Sequence, residues 1–129
     1  KLLPFPIKDC IIYYAGPTPA KNGMAVGSCG PTTSSRMDPY SPRLLNLGMC
    51  CMIGKGDVSD NVVKKIAENN AVYLCAVGGA GALIATHITA AEEIAFPELG
   101  CESIKKLTVS ALPLIVGVDP MGNSIFKRS

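Results

Sequence analysis

The chain has 129 residues and a formal net charge of +2, with 48% hydrophobic and 5% aromatic residues. This length suits one domain with a real core, and the small charge excludes the clustered basic face that nucleic-acid binding normally requires. Its apolar runs are all shorter than the roughly 20 residues that span a bilayer. We therefore expect a single domain over residues 1–129 that binds neither nucleic acid nor membrane.

The six cysteines show no metal-binding or disulfide pattern. None belongs to a Cys-x-x-Cys pair, and two of them, Cys50 and Cys51, are adjacent in the chain. Buried free thiols in a reducing cytoplasm are the interpretation that this pattern favours, with no metal site in this chain. The full set is Cys10, Cys29, Cys50, Cys51, Cys75 and Cys101.

The first half of the chain alternates between short strands and short helices. The β-branched and aromatic segment Cys10–Tyr14 predicts a buried strand. After a loop rich in Gly, Pro and Ser, Thr32 or Thr33 is expected to cap a short helix that ends before Pro39. Ser41 followed by proline is typical of an N-cap and the first turn of a second helix.

The second half begins with the same alternation and ends mostly in strands. Ser59 is predicted to cap an amphipathic helix, with Val62, Val63 and Ile66 facing inward, whereas Glu92 and Glu93 resemble solvated loop carboxylates. The other predicted elements are strands at 49–53, 71–77, 104–109 and 114–118, and a short helix leading to His87. This order predicts a three-layer α/β domain with a mixed sheet.

Three glycine-rich loops are expected to meet at one edge of this sheet. Loops that leave the carboxyl ends of parallel strands gather at the same edge. The loops in question are the Thr32/Arg36 loop, the Lys55 loop and the loop at 78–81. Three weak motifs thereby become one candidate site.

The first loop has the composition of an anion site. Gly30-Pro31 precedes Thr32 and Thr33, and a helix start offers unpaired N–H groups and a positive dipole end. Arg36 follows Thr32 by four residues, so on a helix it would lie one turn further on the same face and could fork onto a carboxylate. Ordinary capping with a solvated Arg36 is the alternative.

Lys55 lies between two glycines at the end of a predicted strand. Glycine allows a ligand to approach the backbone, so the lysine suits a second carboxylate contact or a proton carrier, with an ordinary turn lysine as the alternative. The 78–81 run lacks the spacing of a dinucleotide or phosphate loop. His87 is the only histidine and is interpreted as structural, so no hydrolase triad can be assembled.

These motifs together resemble the C-terminal (β) part of the iron–sulfur class I fumarate hydratase and L(+)-tartrate dehydratase family. The resemblance covers nearly the whole chain in order, and its most specific block is Gly-Pro-Thr-Thr-Ser-Ser-Arg-Met-Asp at 30–38. The other blocks are Tyr-Ala-Gly-Pro-Thr-Pro at 14–19, Met-Ile-Gly-Lys-Gly at 52–56, Gly-Gly-Ala at 78–80, Pro-Glu-Leu-Gly at 97–100 and Asp-Pro-Met-Gly-Asn at 119–123.

The resemblance implies a swivelling β/β/α domain that works with an α part. In this family the α part, as a separate subunit or as the N-terminal half of one chain, supplies the cysteines of a 4Fe-4S cluster. The cluster acts as a Lewis acid in the dehydration of a 2-hydroxy dicarboxylate. The expected partners of this chain are thus the α subunit and a dicarboxylate, in a hetero-oligomer that can also contain β–β contacts. No cluster is expected to bind to this chain itself.

The resemblance also assigns roles to residues of this sequence. Thr32 corresponds to the proposed base, Arg36 and Thr33 to substrate-binding residues, and Lys55 to a residue that binds substrate and aids catalysis. Family members also carry an Arg-Asp-Ala-Ala-His motif before the Pro-Phe-Pro-Ile-Lys segment found here at 4–8. Because the chain begins just after that motif, we expect the upstream part of the family domain to be missing from it.

Three functions remain open at this stage. The first is the β part of a hydro-lyase that acts in complex with an α part. Its first expected substrate pair is malate and fumarate, and L(+)-tartrate is the second expected substrate. The second is a non-catalytic dicarboxylate- or anion-binding module that uses the Thr32/Arg36 segment. The third, a phosphate-binding enzyme, depends on the glycine loops alone.

Overall fold

The computed structural model describes residues 6–17, 25–76, 81–95 and 104–126. The predicted motifs at 78–80 and 97–100, and Cys101, lie outside these residues. The strands are β1 Ile11–Tyr13, β2 Ala15–Pro17, β3 Cys29–Pro31, β4 Cys51–Gly54, β5 Val72–Cys75, β6 Ile88–Ala95, β7 Ile104–Val109 and β8 Ile115–Val118. The helices are α1 Ser41–Asn46, α2 Asp60–Glu68 and α3 Gly81–Ala85, with a 3₁₀ turn at Ser34–Met37.

The central sheet has four strands in the order β1-β4-β5-β8. Strands β1, β4 and β5 run parallel, and β8 pairs antiparallel with β5, so the predicted mixed sheet is confirmed. Two smaller antiparallel ribbons, β2-β3 and β6-β7, accompany it. Among the described helices, none has the length and apolar character required to cross a membrane.

The helix α2 forms for the reasons that the sequence indicated. The Ser59 hydroxyl accepts a hydrogen bond from the backbone N–H of Val62 at 3.3 Å, which satisfies one of the unpaired donors of the first turn. Val62, Val63 and Ile66 are all buried. The predicted cap and the predicted inward face of this helix are therefore confirmed.

The prediction for the start of α1 was wrong by one residue. Tyr40 is the N-cap, and Ser41 is the first helical residue. The Ser41 hydroxyl is fully buried and lies 2.8 Å from the Tyr14 hydroxyl, so it bonds to the core instead of capping the helix. A tertiary contact has overridden a local preference here.

Glu92 and Glu93 do not lie in a loop as predicted, but in the middle of β6. They pair across the ribbon with Lys106 and Lys105 of β7, and both glutamates are exposed. Their segment lacks a regular alternation of apolar and polar residues, so pairing with β7 is what makes it a strand.

The two faces of the central sheet carry separate hydrophobic clusters. One cluster joins the sheet to α1 and α2, and includes Leu45, Met52 and Ile66. The other joins the opposite face to α3 and the β6-β7 ribbon, and includes Ile53 and Ile84. A helical layer, a mixed sheet and a second β layer are thus stacked in order, which confirms the predicted three-layer α/β fold.

Candidate anion-binding site

The Thr32/Arg36 loop and the Lys55 loop meet at the carboxyl end of β4. Thr33 and Lys55 form a parallel bridge just beyond this strand. The N–H of Ser34 donates to the Lys55 carbonyl at 3.0 Å, and the N–H of Lys55 donates to the Thr32 carbonyl at 3.3 Å. The predicted convergence of these two loops is confirmed, and it is made by backbone pairing.

The helix start predicted in the first loop is a single 3₁₀ turn. Thr33 is its N-cap, in extended conformation, and its side chain makes no capping hydrogen bond. Thr32 lies before the turn, because residues 32–34 pair with Lys55 and must stay extended. The predicted helical spacing of Thr32 and Arg36 was therefore wrong, although both residues do lie in the same short segment.

The two glycines around Lys55 are needed for different reasons. A Cβ atom on Gly54 would overlap Ser34 Oγ and would lie 3.2 Å from Ser34 Cβ and 3.5 Å from the Thr32 carbonyl oxygen. Gly56 has φ +78° and open space around it, so its backbone conformation requires glycine. Gly54 thus permits the close approach of the two loops, and Gly56 permits the turn that follows Lys55.

The end of the third loop also reaches this region. Gly81 begins α3, and a Cβ atom on it would lie 3.0 Å from the backbone nitrogen and 3.3 Å from the Cα of Gly30. Close backbone contact therefore places the start of α3 against β3, which leads into Thr32. Residues 77–80 lie outside the described part of the chain, so the contact is made by the last residue of the glycine-rich run.

Two cations belong to this edge of the sheet. Arg36 is exposed, whereas Lys55, Thr32 and Thr33 are half-buried. Among the residues described, the Arg36 guanidinium and the Lys55 ammonium have no ion-pair or side-chain hydrogen-bond partner. Both cations are therefore available to an anionic ligand that approaches the carboxyl end of β4.

Asp38, the acidic residue of the 30–38 motif, has a structural role. Asp38 Oδ2 accepts a hydrogen bond from the backbone N–H of Ser59 at 3.0 Å, at the start of α2. Burial raises the pKa of the Asp38 carboxyl above its ordinary value, because removal from water disfavours the charged form. This carboxylate ties the 3₁₀ turn to α2 and, within the described residues, forms no ion pair with Arg36.

The predictions from sequence missed a buried tyrosine behind the site. Tyr73 on β5 is fully buried, and its hydroxyl lies 2.8 Å from Ser34 Oγ and 2.7 Å from the Gly56 carbonyl oxygen. The available signal was a tyrosine in an otherwise apolar strand, because a buried phenol nearly always finds a polar partner. The sequence could not say which partner it would be.

The remaining polar candidates are His87 and the cysteines, of which Cys75 pairs with Gly54 next to the site. His87 Nδ1 lies 3.0 Å from the Ser110 carbonyl oxygen, which fits the structural role predicted for it. The five cysteines in the described ranges are free thiols, and burial raises the pKa of Cys51 to about 11. In the same ranges no three His, Cys, Asp or Glu side chains form a group suited to a metal ion.

The domain is thus of the mixed α/β class, and two cations that have no partners among the described residues lie in segments at one edge of its sheet, an arrangement suited to a small anion. The comparison with protein families is more specific. All of residues 1–129 match the family described as Fumarase C-terminus, and the chain belongs to that family. The family resemblance identified from the sequence motifs is thus confirmed.

Individual relatives agree with this assignment. The chain is 41% identical over 128 residues to class I aerobic fumarate hydratase of Escherichia coli K12, covering 98% of this chain and 23% of that protein. It is 36% identical over 129 residues to fumarate hydratase 2 of Leishmania major, covering 98% and 23%. A Methanocaldococcus jannaschii protein provisionally named L(+)-tartrate dehydratase subunit beta is 37% identical over 132 residues, covering 98% and 68%.

The relatives named above are all longer than this chain. It spans about a quarter of the length of the fumarate hydratases and about two thirds of the tartrate dehydratase relative. The region it matches is a fraction of a longer chain in the first group and most of a separate subunit in the second.

Proposed function

We propose that this chain is the β part of a hydro-lyase that reversibly dehydrates a 2-hydroxy dicarboxylate, malate to fumarate. The observation that supports this most is the backbone pairing of Thr32–Ser34 with Lys55. It joins the two segments that carry the Arg36 guanidinium and the Lys55 ammonium, which have no partners among the described residues, in a member of the fumarase C-terminus family. A substrate with two carboxylates is the kind of ligand that two such cations suit.

Each site residue has a physical role in this proposal. Dehydration removes a proton from the carbon beside a carboxylate, expels the hydroxyl group with a proton as water, and leaves a carbon–carbon double bond. Negative charge builds on that carboxylate as the proton leaves, so fixed cations lower the barrier. Arg36 binds one carboxylate through two parallel hydrogen bonds, Lys55 neutralises charge, and Thr33 adds a hydroxyl contact.

Thr32 is proposed to handle the proton. A threonine hydroxyl is a weak base on its own, so this role requires that the proton be passed on as it is taken up. The hydrogen bond between its carbonyl and the Lys55 N–H keeps Thr32 beside the lysine, whose ammonium can balance the developing charge. The proposal therefore keeps two roles apart: Thr32 takes the proton from carbon while its own hydroxyl proton passes to water, and the Lys55 ammonium balances the charge that develops on the substrate.

The iron–sulfur cluster of the family does not fit the residues described in this chain. The described cysteines belong to different strands and their approaches, and no three potential ligands form a group. Burial also raises the pKa of Cys29, Cys51 and Cys75, which disfavours the thiolate form that a metal ligand takes. We therefore assign the cluster to an α part, as a separate subunit or a fused half, with which this chain forms the active site.

The tartrate dehydratase relative supports a second substrate. The chain covers 68% of that subunit, so it resembles a stand-alone β subunit as well as a segment of a fused enzyme. L(+)-Tartrate is also a 2-hydroxy dicarboxylate, and it differs from malate by one additional hydroxyl group. The two cations do not distinguish these substrates, because both present two carboxylates.

The test is a reconstitution under anaerobic conditions. Formation of fumarate from malate is followed by absorbance, for this chain alone and for this chain mixed with the cluster-bearing α part. We expect activity in the mixture only, and L(+)-tartrate is then tested in the same way. A mixture that is inactive on both substrates with an intact cluster would refute the hydro-lyase proposal, and dicarboxylate binding by the chain alone would then favour the binding module.

A further inference from the structure

One phenol hydroxyl touches both segments that carry the proposed cations. Tyr73 is 0% exposed, and its Oη lies 2.8 Å from Ser34 Oγ and 2.7 Å from the Gly56 carbonyl oxygen. A carbonyl oxygen can only accept, so the single Tyr73 proton is donated to Gly56. The Ser34 hydroxyl then completes the pair by donating to the Tyr73 oxygen.

The two partners of Tyr73 stand next to the two cations in the chain. Ser34 opens the 3₁₀ turn, two residues before Arg36, and Gly56 directly follows Lys55. Ser34 is itself 0% exposed, so the network is sealed from water on this side. Tyr73 thereby attaches the Arg36 turn and the Lys55 loop to the same point of β5.

The network is stable across the pH range in which enzymes work. Burial raises the pKa of Tyr73 well above its ordinary value of 10.0, so the hydroxyl keeps its proton and remains a donor to Gly56. Removal of the hydroxyl would leave the buried Ser34 Oγ without this partner and would release the Gly56 carbonyl from its bond to β5. Buried polar groups without partners are costly, so the two segments would then move apart or admit water.

We infer that Tyr73 is a positioning residue that fixes the separation of Arg36 and Lys55 for a substrate with two carboxylates. The inference depends on the proposed function for the identity of the ligand. The mechanical link depends only on the hydrogen bonds at Ser34 and Gly56. Tyr73 does not touch the substrate in this account, and acts through the two segments that do.

Tyr73→Phe in the assembled enzyme is the test, with Tyr14→Phe as the matched control. Tyr14 is also buried, and its hydroxyl also bonds to a buried serine, Ser41, at 2.8 Å, but that serine lies in α1. We expect Tyr73→Phe to raise the KM for malate about tenfold, equivalent to about 1.4 kcal/mol of lost binding. We expect Tyr14→Phe to lower the Tm while leaving KM at the wild-type value.

Amide hydrogen exchange provides a readout that does not depend on catalysis. The N–H groups of Ser34 and Lys55 close the pairing between the two loops, so their exchange should quicken in Tyr73→Phe and not in Tyr14→Phe. Unchanged exchange at both amides would overturn the inference, as would quickened exchange with an unchanged KM. An unchanged kcat/KM for Arg36→Lys would refute the proposed substrate site. The role of Tyr73 in substrate binding would then be refuted too, even if amide exchange quickened in Tyr73→Phe.

Discussion

The contact between Gly54 and Ser34 gives the sharpest prediction for stability. In Gly54→Ala the new methyl group would overlap Ser34 Oγ and lie 3.2 Å from Ser34 Cβ. Ser34 cannot swing away freely, because it is fully buried and its hydroxyl bonds to Tyr73. The 3₁₀ turn must therefore shift away from the end of β4, and Arg36 with it.

The expected cost follows from two effects. Overpacking of a well-packed core costs about 1–3 kcal/mol, and a buried hydroxyl group that loses its partner costs about 1–3 kcal/mol. We therefore expect Gly54→Ala to lower the free energy of unfolding by about 2–6 kcal/mol. Gly56→Ala is the control, because its Cβ would meet no atom within 4 Å and the cost is the left-handed backbone alone, about 1–2 kcal/mol.

The assay is urea denaturation of the purified protein for Gly54→Ala, Ser34→Ala and the double variant. Because Ser34→Ala removes the atom that the new methyl group overlaps, the double variant should be less destabilised than the two single changes added together. The remaining contact with Ser34 Cβ makes this rescue incomplete. Additive losses, or a Gly54→Ala protein within about 0.5 kcal/mol of wild type, would refute the close contact.

Three other predictions concern single side chains. Ser59→Ala should cost about 1 kcal/mol in urea denaturation through the lost bond to the Val62 N–H; no change would contradict the cap. Burial raises the pKa of Cys51 from 9.0 to about 11. The stabilisation that the protonated Cys51 thiol gives to the folded protein is therefore complete below pH 9 and is lost between pH 9 and 11. Denaturation of Cys51→Ala should show a shallower alkaline decline. Hydrogen bonds from Asn123 lower the pKa of Asp119 below 3.8, so Asp119→Asn should flatten the acid decline that appears as pH falls below about 4.

The sequence was sufficient where structure depends on neighbours in the chain. The Ser59 cap and the inward face of α2 require only an amphipathic pattern and one polar side chain at its start. Tertiary pairing decided the rest. Glu92 and Glu93 lie in a strand because β7 pairs with them, and Ser41 leaves the capping position because Tyr14 offers its hydroxyl group a partner.

The same distinction applies to the candidate site. The sequence indicated that the Thr32/Arg36 and Lys55 loops would lie at one edge, because parallel strands send their carboxyl ends there. It did not indicate that Thr33 pairs with Lys55, and the extended backbone that results removes the expected helical spacing of Thr32 and Arg36. The contacts of Tyr73 with the site could not be predicted from the sequence, because its partners are 39 and 17 residues away in the chain.

The central claim is that Arg36 binds a substrate carboxylate, and the kcat/KM for malate dehydration tests it most directly. The measurement compares Arg36→Lys with Arg43→Lys in the assembled enzyme, because Arg43 is also an exposed arginine, lies in α1 and has no role in the proposed site. We predict a loss of about 10- to 100-fold for Arg36→Lys, since an ammonium cannot make the two-pronged contact. Arg43→Lys should match wild type, and wild-type kinetics for Arg36→Lys would contradict the account.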